Sequence, residues 1–167
     1  RLGAAANCAR FVESVVVDAA DGRAAFDLLT ETLYALESAD AQHDFVPLLF
    51  RARLAFEQGM RPTFTACAAC GKDLSSMRRP RFSVEKGQVL CRDCAVAARA
   101  DAQGGEPPRE AAPGVLRALD WVATSRPADW PRLGLLPEAR RQFARIVEQF
   151  TAFHLGLSWE EGRYKKV

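Results

Sequence analysis

The sequence predicts a mainly α-helical chain, a helical bundle domain interrupted by a small cysteine-bearing ribbon. Three observations carry this. Two C-x-x-C pairs, Cys67/Cys70 and Cys91/Cys94, are separated by 20 residues. On both sides of them apolar residues recur at three- and four-residue steps, the period of one helix face. Between them Arg81-Phe82-Ser83-Val84 and Gln88-Val89-Leu90 flank Glu85-Lys86-Gly87, a hairpin signal with glycine in the turn. The expected organisation is a first helical part over 1–63, the ribbon insertion over 64–99 and a second helical part over 100–167.

The elements follow in order. From Ala4 to Asp18, Phe11, Val12, Val15 and Val16 fit one helix face, although the β-branched run Val15-Val16-Val17 works against the helix. Asp21 is suited to cap a second helix, in which Phe26, Leu29, Leu33 and Leu36 form the apolar face. Asp44 is suited to start a third, with Pro47 in its first turn, followed by Leu48, Leu49, Leu54 and Phe56. Gly59 ends it and Pro62 prevents its resumption. After the cysteines, Gln103 to Pro113 reads as a loop rich in glycine and proline. Pro113 opens a helix carrying Val115, Leu116, Leu119 and Val122. Pro137 opens the last and longest helix, through Phe143, Ile146, Val147, Phe150 and Phe153 to Leu155, with Gly156 as its stop.

A C-x-x-C turn places two sulfurs on one side of a tight knuckle, and Gly71 after the first pair tolerates the positive φ such a turn needs. Two knuckles joined by a hairpin bring four thiolates to about 2.3 Å from one ion, the tetrahedral arrangement Zn²⁺ accepts. Cys67, Cys70, Cys91 and Cys94 therefore read as the ligands of one structural Zn²⁺ in a four-cysteine zinc ribbon. Disulfide, redox and iron–sulfur uses of the same residues are the alternatives. A disulfide scaffold suits short, cysteine-dense secreted chains, whereas this one has 5 cysteines in 167 residues and no signal peptide. A single redox pair leaves the second pair unexplained. Cys8 has no partner motif and reads as a small buried hydrophobe.

The net charge of +2 is unevenly spread. Residues 1–60 carry 5 basic and 9 acidic side chains, whereas residues 61–100 carry 8 basic and 3 acidic. Four thiolates on one Zn²⁺ leave about +3 on that module. Arg78, Arg79, Arg81, Lys86 and Arg92 crowd the loop, hairpin and second knuckle, either as a surface for an anionic partner or as a solvated face. Phe82 has two readings, a base-stacking ring or a core residue. No apolar stretch approaches the roughly 20 residues of a membrane span.

Catalytic constellations are absent from the sequence: no G-x-G-x-x-G, P-loop, H-E-x-x-H or G-x-S-x-G occurs. The histidines, His43 and His154, have no evident nucleophile partner, and four thiolates close a zinc ion to substrate. A binding module is expected rather than an enzyme.

The order of elements resembles a known family. Gly59-Met60-Arg61-Pro62, then Cys67-x-x-Cys70-Gly71, then Phe82-Ser83 and Gly87-Gln88-Val89-Leu90-Cys91-x-x-Cys94, are similar to the bacterial recombination mediator family RecO. So is Phe153-His154-Leu155-Gly156 followed by a short basic tail. The resemblance is to the C-terminal part of these proteins. It implies an N-terminal OB-fold domain outside this chain, which starts at Arg1. It further implies a DNA repair and recombination mediator of the RecF pathway, cytoplasmic and at the nucleoid. Such a protein binds and anneals single- and double-stranded DNA, partners with RecR, contacts the C-terminal tail of the single-stranded-DNA-binding protein, and helps load RecA on gapped DNA. The alternatives are a zinc-ribbon adaptor that contacts protein without direct DNA binding, and a zinc-dependent hydrolase or nuclease.

Overall fold

A computed structural model describes residues 1–15, 19–38, 42–100, 106–160 and 163–166. The fold is mainly helical with small antiparallel sheets, as the sequence predicts.

Helix α3 (Val46–Ala55) is the centre. Almost every residue in it is buried, so it has no polar face and must be enclosed by neighbours. Helix α1 (Leu2–Ser14) packs on it through Cys8 and Phe11. It ends earlier than the expected Asp18, because Val15 takes an extended backbone (φ −93°, ψ 112°). The β-branched run that opposes helix begins there; Val16, Val17 and Asp18 lie outside the described residues.

Helix α2 (Ala19–Ala35) differs from expectation in two ways. Asp21 lies inside the helix rather than at its cap. The buried face is Ala25, Leu28, Thr32 and Ala35, continued by Leu36, whereas Phe26 is 65% exposed and Leu33 37%. Small residues let α2 lie close against α3 and the short 3₁₀ segment Pro127–Arg132, which carries the buried Trp130. The Thr32 hydroxyl is satisfied locally, donating to the Leu28 carbonyl at 2.7 Å.

Asp44 does not cap α3 either; Phe45 holds that position, and the Asp44 carboxylate pairs with Arg140 at 2.8 Å. The chain leaves α3 through a turn over Phe56–Met60, where Gly59 adopts φ +80°. Strands β1 (Arg81–Ser83) and β2 (Gln88–Leu90) form the expected hairpin, and Arg81 pairs with Leu90. Helix α4 (Arg92–Ala100) follows. A short strand, β3 (Arg109–Glu110), then adds to the free edge of β1, within the span read as loop.

Helix α5 (Pro113–Thr124) buries Val115, Leu116, Leu119 and Val122 as expected. Arg53 fastens its end to α3 by donating to the carbonyls of Val122 and Ser125 at 3.1 and 2.9 Å. Helix α6 (Pro137–Leu155) stops at Gly156 with φ +59°. The basic tail is itself a hairpin, β4 (Leu157–Glu160) with β5 (Arg163–Lys166). Arg51 latches it to the body: its guanidinium donates to the Tyr164 hydroxyl and to Asn7 Oδ1, both at 2.6 Å. Among the described residues no helix is long and apolar enough to cross a membrane.

Candidate metal centre and nucleic-acid interface

The first knuckle is closed by its own backbone. The Cys67 N–H donates to the Lys72 carbonyl and the Gly71 N–H to the Cys67 carbonyl, both at 2.8 Å. Gly71 takes φ +71°, a conformation that a side chain would strain. The Ala68 N–H donates to the Val89 carbonyl at 2.9 Å, which moors this knuckle to β2. The second knuckle begins where β2 ends, and Cys94 sits in the first turn of α4.

These two anchorages bring the four cysteines together. The sulfurs of Cys67, Cys70, Cys91 and Cys94 all lie within 4.8 Å of one another, and Cys70 and Cys91 are 3.9 Å apart. A tetrahedron with 2.3 Å metal–sulfur bonds has an edge of about 3.8 Å, so the cage has the dimensions of a single-ion site. Cys67 and Cys91 are buried, Cys94 is half-buried and Cys70 faces solvent. The Cys91 N–H donates to Cys67 Sγ at 3.2 Å, the outer hydrogen bond that steadies a thiolate ligand. Burial raises the Cys67 thiol, but the N–H groups of Cys91, Cys70 and Ala69 outweigh it and bring the pKa down to about 6. Cys94 is pushed up to about 12, first by hydrogen bonding with Cys91 and Cys70. The four cysteines could hold a metal ion, and a divalent cation would favour the thiolate at every position.

The sequence-predicted cations divide into two groups. Arg79 and Arg81 share the Glu110 carboxylate at 3.9 and 3.6 Å, a consequence of β3 pairing beside β1. Arg78, Lys86 and Arg92 have no ion pair among the described residues. Phe82 is core: it is 3% exposed and its ring lies 6.2 Å from that of Phe150 on α6. It offers no face to a base.

His154 has a role that sequence reasoning missed. Its Nε2 lies 2.7 Å from the Val84 carbonyl, and its ring packs against Phe150 at 4.2 Å, tilted by 40°. The imidazole thus donates across to the hairpin turn and holds it against α6. Gly87 carries the positive φ of the turn (+55°), a backbone conformation a side chain would strain, and it lies against Phe150 and this imidazole at ordinary contact distance. A histidine two residues before a helix-stopping glycine carries no signal for a contact 70 residues away. His43 is half-buried and sits 3.2 Å from the Leu36 carbonyl.

Comparison with known proteins agrees with this architecture. The family model described as Recombination protein O C terminal matches residues 1–161. The chain is 44% identical over its full length to DNA repair protein RecO of Maridesulfovibrio salexigens, covering 64% of that protein. It is 36% identical to DNA repair protein RecO of Oleidesulfovibrio alaskensis, again over the whole chain and 64% of the relative. The corresponding protein of Solidesulfovibrio magneticus is 37% identical, with 65% of it covered. The chain therefore spans about 64–65% of the length of these relatives. No solved structure shows a significant match. A family match across nearly the whole chain, together with full-length identity of this degree, places the chain in the RecO family, within its C-terminal part.

Proposed function

We propose that this chain is the zinc-bearing part of a DNA repair and recombination mediator. The observation that carries the reading is the cage of four sulfurs, set in a basic hairpin, in a chain of the RecO family. In this reading Cys67, Cys70, Cys91 and Cys94 hold one Zn²⁺, whose chemistry is to crosslink the two knuckles and keep the hairpin shaped. Four thiolates leave no position for a reacting water, so the ion is structural and the chain is not an enzyme. The ribbon over 64–99 then presents Arg78, Lys86 and Arg92, together with the Glu110-paired Arg79 and Arg81, to the phosphates of single- and double-stranded DNA. Such contacts neutralise charge without reading sequence.

The family supports the wider role: annealing complementary strands, acting with RecR and with the tail of the single-stranded-DNA-binding protein, and helping RecA load on gapped DNA in the cytoplasm. The test is DNA affinity of the full-length protein at several salt concentrations, wild type against Arg78→Ala/Lys86→Ala/Arg92→Ala. Each lost phosphate contact should flatten the slope of log affinity against log salt by about 0.7–0.9. One observation favours the adaptor reading instead: Glu110 already occupies Arg79 and Arg81. Unchanged affinity and slope in the triple variant would support that reading, with the ribbon facing protein.

A further inference from the structure

We propose that nucleic acid passes beyond the ribbon into the groove along α6, where Arg141 and Arg145 bind two phosphates of the same strand. The inference rests on the DNA-binding reading above and extends it to residues that lie outside the ribbon. An open groove of about 680 Å³ runs between β3 and the first half of α6, with Arg141, Arg145, Glu138, Leu136 and Glu110 on its walls. Arg141 and Arg145 are exposed and in no ion pair among the described residues. Four residues apart on a helix, they stand one above the other, about 6 Å along the axis.

Gln142, between them, ties α6 to the ribbon's sheet. Its Oε1 accepts from the Ala112 N–H at 2.8 Å and its Nε2 donates to the Glu110 carbonyl at 3.0 Å. Glu110 in turn faces Arg79 and Arg81. The groove's own walls balance Arg141 and Arg145 against Glu110 and Glu138, and Arg79 and Arg81, paired to Glu110, bring the neighbourhood to a net positive charge. That excess of positive charge suits a polyanion. The groove opens to solvent, so a strand can lie in it. Its cations stand at helical spacing, and no aromatic ring lines it to stack a base. The chemistry is that of a sequence-independent phosphate track.

The test uses full-length protein and a fluorescent single-stranded oligonucleotide, with binding measured by anisotropy from low to high salt. Arg141→Ala/Arg145→Ala should reduce the magnitude of the salt slope by about 1.4, since each single-strand phosphate contact contributes about 0.7. Arg141→Lys/Arg145→Lys should restore most of it, because charge rather than packing is the agent. A double alanine variant with wild-type slope and affinity, beside an Arg78→Ala/Lys86→Ala/Arg92→Ala variant that binds weakly, would overturn the α6 track and leave the ribbon reading standing. Absence of DNA binding by the wild type would overturn both. Loss of binding to an acidic peptide, with DNA binding intact, would assign the groove to a protein partner and also overturn the proposal.

Discussion

Phe82→Ala tests whether the ribbon folds as a separate body or as part of the helical core. Phe82 is 3% exposed, and its ring meets Phe150 of α6 at 6.2 Å. Phe150 also contacts Phe56 at 5.9 Å, and Phe56 contacts Phe64 at 5.7 Å, so ribbon and bundle share one aromatic seam. The space left in that seam is only about 10 Å³, so the rings are closely packed and a truncation opens a new cavity among them. Deleting a buried Phe ring costs about 3–5 kcal/mol. In a chain of 167 residues each kcal/mol moves the midpoint by about 2–4 °C, so the thermal transition should fall by on the order of 10 °C. The assay is circular dichroism at a helix-sensitive wavelength, which reports α3 and α6 rather than the hairpin. An unmoved helical transition would refute the shared-core reasoning. It would make the ribbon a module that unfolds on its own, along the 64–99 boundary expected from sequence.

Three further outcomes are expected. Protein purified without added metal should contain one zinc per chain by elemental analysis, and Cys91→Ser should reduce this well below one; zinc-free wild type with paired cysteines would refute the four-thiolate site. Arg51→Ala should cost about 1–3 kcal/mol in urea unfolding, because it removes the charged hydrogen bonds to the half-buried Asn7 and Tyr164, and should raise hydrogen exchange in β4 and β5; wild-type exchange there would show that the tail hairpin is held otherwise. Burial pushes the Cys8 thiol up to about 12 from an ordinary value of 9.0, so the folded state prefers the neutral thiol. The sign follows: the contribution is fully present below about pH 9 and is lost as pH rises toward 12. Cys8→Ala should therefore flatten the decline of stability above pH 9, and a decline identical to wild type would assign it to other groups.

The cysteine spacing made the four-sulfur cluster legible because its geometry is almost wholly local: two knuckles, a glycine and a three-residue strand pair. The helices around Pro113 and Pro137 were legible for the same reason, each opened by a proline that suits a first turn. What was not legible depends on distant partners. The buried face of α2 is set by what lies against it, and small residues, not Phe26 and Leu33, meet α3 and the segment of Trp130. Asp44 has the chemistry of a helix cap, yet Arg140, some hundred residues on, competes for it and prevails. β3 is two residues long and carries no strand period, so its pairing beside Arg81 and its effect on the ribbon's charge had no sequence signal.

Helix α6 explains why the ribbon and the bundle must be considered together. Its buried face supplies Phe143 and Phe150 to the core, its last turn supplies His154 to the hairpin, and Gln142 secures β3. The same helix turns Arg141 and Arg145 outward into the groove. A rigid helix fixes the relative placement of residues on its several faces, so the position of the hairpin's cations relative to Arg141 and Arg145 is set by contacts made elsewhere on α6. On the DNA-binding reading proposed above, substitution at His154 should consequently disturb binding without removing a phosphate-contacting charge. Arg141→Ala should remove a charge without disturbing the hairpin. The two perturbations separate through salt: loss of a phosphate contact flattens the dependence of affinity on salt, whereas a displaced hairpin weakens binding and alters metal retention as well. His154→Ala with faster zinc loss to a chelator and Arg141→Ala with wild-type zinc retention is the expected pair. Equal zinc retention in both variants would show that the hairpin holds its place without the imidazole.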